Sequence, residues 1–208
     1  EVEALCRGLA TLMDAAGALL QAPAHAAARA ALLQAFTPAA MARLHAAARC
    51  TPEAERAMMR VAAWLPNIPE TYAVMLAAAA LGATFSSTSP DFGVDGVVDR
   101  FSQVEPTVLF ACDGYLYGGK IHDRLTALEE VRAALPSVRH VVVVPFFGDG
   151  TTGEVGNAVL LENFVAGIEP QEPEFAPLPF DHPWYVLFSS GTTGKPKCII
   201  HRAGGVLI

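Results

Sequence analysis

Ten consecutive residues, Phe188-Ser189-Ser190-Gly191-Thr192-Thr193-Gly194-Lys195-Pro196-Lys197, hold four hydroxyls, two glycines and two lysines. Gly191 and Gly194 let the backbone turn its amides inward. Ser189, Ser190, Thr192 and Thr193 add hydroxyl donors, and Lys195 and Lys197 add positive charge. Amides, hydroxyls and a cation around one concavity suit phosphate oxygens. The bland alternative is a flexible Ser/Gly connection. Such a connection rarely sets this many donors directly after a buried strand, and ligands bind where parallel strands end.

Neighbouring motifs are less productive. Gly194-Lys195 is followed by Pro196, so no hydroxyl stands where a Walker A loop holds Mg²⁺. Gly114 to Lys120 has the G-x4-G-K spacing, but Ile121 follows, and a nucleoside-triphosphatase reading is rejected there too. A dinucleotide-binding fold is disfavoured. His25 and His45 are isolated histidines, which read as solvated side chains.

The loop needs elements to position it. Val61 to Leu65 reads as a buried strand closed by the turn Pro66-Asn67-Ile68-Pro69. Glu70 to Leu81 has helical spacing and stops at Gly82, a natural C-cap. Strands are expected at 83–86, 107–111, 140–144 and 184–188, with 197–200 as a further candidate. Helices are expected at 94–104 and 123–135. Residues 147–183 read as a long surface connection with one short helix near 160–165. Strands alternating with helices at this spacing indicate βαβ units. Fully apolar strands indicate a parallel sheet covered on both faces. The expected class is α/β, a mostly parallel sheet flanked by helices.

Composition limits the function classes. Of 208 residues, 14 are Lys or Arg and 21 are Asp or Glu, a net charge of −7. That balance disfavours a nucleic-acid binder, which needs a basic surface. The longest apolar run, Tyr72 to Phe85, is too short to span a bilayer. Cys6, Cys50, Cys112 and Cys198 form no CxxC pair. They read as reduced, buried thiols of a cytoplasmic protein. Ala15 to Ala48 holds 17 alanines in 34 residues, interrupted by Pro23 and Pro38, and reads as short helices without chemistry. The chain opens at Glu1 and closes in the apolar run Gly205 to Ile208, which reads as cut at both ends.

Ser189 to Lys197 resembles the phosphate-binding signature of the adenylate-forming acyl-CoA synthetases, Ser/Thr-Ser-Gly-Ser/Thr-Thr-Gly-x-Pro-Lys. The flanks Leu65 to Glu70, Ser89 to Val94, Asp99 to Phe101 and Glu105 to Phe110 are similar to the acetoacetyl-CoA synthetases among them. So are Asp113 to Tyr115, Phe180 to Pro183, and Cys198 to His201 with Gly204-Gly205. The resemblance implies a two-step ligase. ATP and acetoacetate give an acyl-adenylate and pyrophosphate; CoA then displaces AMP. Ser189, Ser190, Gly191, Thr192, Thr193, Gly194 and Lys197 would hold the ATP phosphates, with Lys195 at a variable, solvated position. Gly119 and Lys120 fall at a CoA contact of related synthetases, although Leu116 stands where these often carry Arg. His201 falls near the acyl pocket.

The resemblance divides the chain into a helical, alanine-rich segment at 1–59, with an insertion at 18–55, and a partial adenylate-forming N-terminal domain at 60–208. It places the Mg²⁺ ligands and the catalytic lysine outside this chain, so the 208 residues alone are expected to be inactive. Two other readings stand beside it: a ligase for acetate, propionate or butyrate, and an inactive, truncated nucleotide-binding paralogue.

Overall fold

The computed structural model describes residues 59–147, 150–165, 176, 178–190 and 194–206. The expected helices of the alanine-rich tract, the domain limit at 59 and the insertion at 18–55 lie outside these or at their edge.

The described chain runs β1 (Arg60–Trp64), α1 (Pro69–Leu81), β2 (Thr84–Thr88), α2 (Val94–Val104), β3 (Val108–Cys112), β4 (Gly114–Tyr117), β5 (Lys120–Asp123), α3 (Leu125–Ala134), β6 (His140–Val144), β7 (Ala158–Leu160), α4 (Leu161–Val165), β8 (Pro183–Ser189), β9 (Lys197–Arg202) and α5 (Ala203–Val206). Seven strands form one sheet in the order β7-β6-β3-β1-β2-β8-β9. Every pairing is parallel except β8 with β9. The α/β reading with a mostly parallel sheet therefore holds.

Strand side chains alternate between two cores. Val61, Ala63, Phe85, Phe110, Val142 and Val144 pack with α1 and α4 on one face. Ala62, Trp64, Leu109, Val141 and Val143 pack with α2 and α3 on the other. Trp64 is almost fully buried, and its indole N–H donates to the Ser89 carbonyl at 3.1 Å. Helix α1 begins on Pro69, whose missing N–H costs nothing at a first turn. It ends on Gly82, whose φ of 74° is a left-handed cap that a side chain would strain.

Some elements differ from expectation. The stretch 114–123, read above as a rejected phosphate loop and a CoA contact but not as strands, is an antiparallel hairpin pairing Tyr117 with Lys120 across Gly118-Gly119. Both glycines have positive φ, as a tight two-residue turn requires. Consequently α3 starts at Leu125 rather than Asp123, which ends β5 and accepts the Leu125 N–H. Strand β7 pairs with β6 before the short helix expected at 160–165, so the 147–183 connection holds a strand as well. Gly148-x-Gly150-x-x-Gly153 has the spacing of a dinucleotide fingerprint after a strand, but turns and β7 follow it rather than the helix that fingerprint needs.

Candidate functional site

The parallel strands end at one edge of the sheet, and both groups of candidate residues collect there. Ser189 is the last residue of β8 and pairs with Lys197, the first residue of β9. The donor-rich stretch is therefore the connection of an antiparallel hairpin at the carboxyl end of β8. Ser189 is half-buried, whereas Ser190, Gly194 and Lys197 are exposed. Gly194 has φ 142°, a conformation that favours glycine. Gly191, Thr192 and Thr193 lie outside the described residues.

Strand alternation sorts the hairpin side chains. Tyr185 packs with the α1 face of the core. His201, paired with it, stacks on its ring with centroids 4.7 Å apart. Ser189 and Lys197 fall on that same face by alternation, four pairs further along the hairpin. Phe188 and Cys198 fall on the α2 face. There Arg100 lies over Phe92 at 4.1 Å and reaches Phe188 at 5.9 Å. Lys195, expected to be solvated, is largely exposed and pairs with Asp99 at 3.3 Å.

Beside the hairpin, at the ends of β1, β2 and β4, lies a cleft of about 510 Å³. That size is ordinary for a small-molecule site. The cleft borders the gap between β1 and β3, where the strand order reverses, the usual ligand position in open α/β sheets. Its walls include Asn67, Thr71, Ser89, Asp91, Tyr115 and Phe146. Leu116 and Tyr117 also line it, while Gly119 and Lys120 form the exposed tip of that hairpin.

Partly buried polar contacts hold the walls. Asp113 accepts the backbone N–H of Phe146 at 2.8 Å and of Phe147 at 3.2 Å. Arg124 donates to the Pro90 carbonyl at 2.8 Å and to the Tyr115 hydroxyl at 2.9 Å, with its guanidinium over the Tyr115 ring. Sequence reasoning missed these wall residues. The signal that could have found them was the Gly118-Gly119 pair between Tyr115-Leu116-Tyr117 and Lys120-Ile121-His122, a hairpin signature hidden by the Gly-Lys spacing.

Of the cysteines, Cys112 is buried as expected, and burial, helped by the neighbouring Asp113 charge, pushes its thiol up to about 12. Cys198 corrects the expectation: it is exposed on β9, which pairs with one strand among the described residues. Cys6 and Cys50 lie outside the described residues. Among the described residues no group of three His, Cys, Asp or Glu side chains is placed to hold a metal. No described helix is long and apolar enough to cross a membrane.

Comparison with known proteins places the chain in a family. A family profile described as "AMP-binding enzyme" matches residues 55–208. An acetoacetyl-CoA synthetase from Macaca fascicularis is 47% identical over 155 residues, 72% of this chain and 23% of that protein. An acetoacetyl-coenzyme A synthetase from Rhizobium meliloti is 50% identical over 151 residues, again 72% and 23%. The solved acetoacetyl-CoA synthetase from Streptomyces lividans superposes with a TM-score of 0.66 at 44% identity, covering 75% of this chain and 24% of that one. The chain thus spans about a quarter of the length of the relatives it matches. The family match runs through every described strand and helix and takes in both the loop and the cleft; the chain belongs to the AMP-binding enzyme family.

Proposed function

We propose that this chain is the phosphate-binding portion of an AMP-forming acetoacetate–CoA ligase. The observation that carries the reading is the 47–50% identity to acetoacetyl-CoA synthetases over 72% of the chain, beside a family match at 55–208 that includes the loop. In the first half-reaction an acetoacetate oxygen attacks the α-phosphorus of ATP and pyrophosphate leaves. In the second, the CoA thiol attacks the acyl carbon and AMP leaves.

The loop's part in this is electrostatic. Ser189, Ser190, Gly191, Thr192, Thr193 and Gly194 offer amides and hydroxyls to the β- and γ-phosphates, and Lys197 offers the cation. Donors fixed in advance stabilise the charge that builds on departing pyrophosphate. The cleft beside the loop is the candidate seat of CoA, with Gly119 and Lys120 at the exposed tip of the hairpin whose Leu116 and Tyr117 line it. His201, on the same face of β9 as Lys197, is the candidate neighbour of the acyl group. Mg²⁺ is expected with the nucleotide, its ligands outside this chain, and no step here is assigned to it. The substrates are small molecules, and neither nucleic acid nor a membrane is expected as partner.

The test is acetoacetate-dependent exchange of labelled pyrophosphate into ATP by protein purified from its source cells. Exchange is expected with acetoacetate and not with acetate, propionate or butyrate. Lys197→Ala should lower it by about a hundredfold, the scale of one lost transition-state donor. Exchange that ignores acetoacetate, or survives Lys197→Ala intact, would overturn the reading.

A further inference from the structure

The candidate phosphate loop sits at the tip of a hairpin that the main sheet holds only near its base. The parallel ladder joining β2 to β8 pairs Phe85 with Tyr185 and Ser86 with Val186, and no pair beyond these. The buried Ser86 hydroxyl reinforces that point by donating to the Val186 carbonyl at 2.9 Å. Ser189 and Lys197 lie three residues further out. A tip reaching beyond its ladder needs another support to keep one shape.

Helix α2 supplies that support through its second half. Gln103 Nε2 donates to the Pro196 carbonyl at 2.9 Å, and also to the Asp99 carbonyl one turn back at 2.8 Å. Gln103 Oε1 accepts the Cys198 thiol at 3.5 Å. Asp99 Oδ1 pairs with Lys195 Nζ at 3.3 Å. Asp99 and Gln103 stand four residues apart and so share one face of the helix. Together they meet three of the four residues from Lys195 to Cys198, skipping only Lys197.

We infer that Asp99 and Gln103 are positioning residues for the phosphate loop: they hold its outgoing arm against α2 so that Lys197 is presented on the opposite face of β9. This rests on the phosphate reading of the loop and deepens it. The contacts are exposed, so each is worth little alone. The gain is in pre-organisation, since a loop ordered before the nucleotide arrives pays less entropy on binding.

Two readouts on the full chain test this. The first is hydrogen exchange at the Gly194 and Lys195 amides without nucleotide. The second is ATP affinity by calorimetry. Gln103→Glu keeps the shape and the thiol acceptor but loses the donor to Pro196. Asp99→Asn removes the ion pair, and Asp99→Glu restores the charge. Gln103→Glu and Asp99→Asn should each speed exchange at both amides and weaken ATP binding about two- to fivefold, while the thermal midpoint stays unchanged. Asp99→Glu should return both readouts toward wild type. Unchanged exchange in both variants overturns the tether. Faster exchange with unchanged ATP affinity, where Lys197→Ala does weaken binding, overturns the positioning role. ATP binding unmoved by Lys197→Ala marks failure of the phosphate reading itself, and the positioning role falls with it.

Discussion

Glu129 shows how one side chain fixes a loop that carries no regular structure. Its carboxylate receives a two-pronged contact from Arg132, one turn along α3, and the backbone N–H of Gly156 at 3.0 Å. The Arg132 hydrogen bonds, then the Gly156 amide, hold its pKa at about 2, below the ordinary 4.5. A carboxylate lowered in the folded state stabilises above its unfolded pKa and loses that contribution as pH falls through the folded value. The loop clasp is therefore complete at neutral pH and lost between about 4.5 and about 2. A carbon-detected NMR titration should put the Glu129 midpoint near 2; a midpoint near 4.5 would refute the clasp. Trp64 is a second case. Its indole fills the α2 face and its N–H reaches the Ser89 carbonyl at the cleft wall. Trp64→Phe loses that bond and part of the volume, and should cost about 1–2 kcal/mol in urea denaturation. No measurable loss would mean that the bond and the volume contribute nothing.

Elements were legible where burial sets the pattern. Strands β1, β3 and β6 carry continuous apolar runs because helices cover both faces, and each lies within a residue or so of its expected limits. Strand β2 was harder. Its expected end is Ser86, but it continues through Ser87 to Thr88, polar residues that break the apolar run, yet Ser86 and Thr88 are buried and Ser86 is hydrogen-bonded. The candidate site divides in the same way. The loop was visible because donors crowd one short segment. The cleft was not, since its walls come from five separated stretches that only the sheet order brings together. The tether was equally hidden, because α2 and the loop lie 93 residues apart at the Gln103–Pro196 contact. Helix ends obeyed local rules, and Gly82 is the clearest. Its left-handed φ of 74°, with Leu178 Cδ2 2.7 Å from where a Cβ would stand, makes Gly82→Ala a strained substitution. A stability loss of about 1–2 kcal/mol is expected in thermal unfolding, and a neutral result would show that the cap tolerates a side chain.

At the scale of the whole molecule, the sheet has one deeply covered middle and one open side. Strand β9 is exposed along nearly its full length, with Ile199 46% and Ile200 58% accessible. An apolar edge strand is a template for pairing with another chain. Ile200→Lys should lower light scattering of concentrated protein and leave the thermal midpoint unchanged; scattering that does not fall would place the sticky surface elsewhere. The same strand bears on the loop it follows. Phosphate loops that lead into a helix borrow from aligned peptide dipoles, about half a positive charge at the helix start. Here the chain enters a strand at Lys197, and strand dipoles largely cancel. On the phosphate reading, an anion at this loop would thus be held by a field of short range, made of individual amides, hydroxyls and lysines, most of it open to counterions. Such a site would trade reach for adjustability: moving one arm of the hairpin by a fraction of an ångström would change the field at a bound phosphate, where an axis of fixed dipoles would have left it constant.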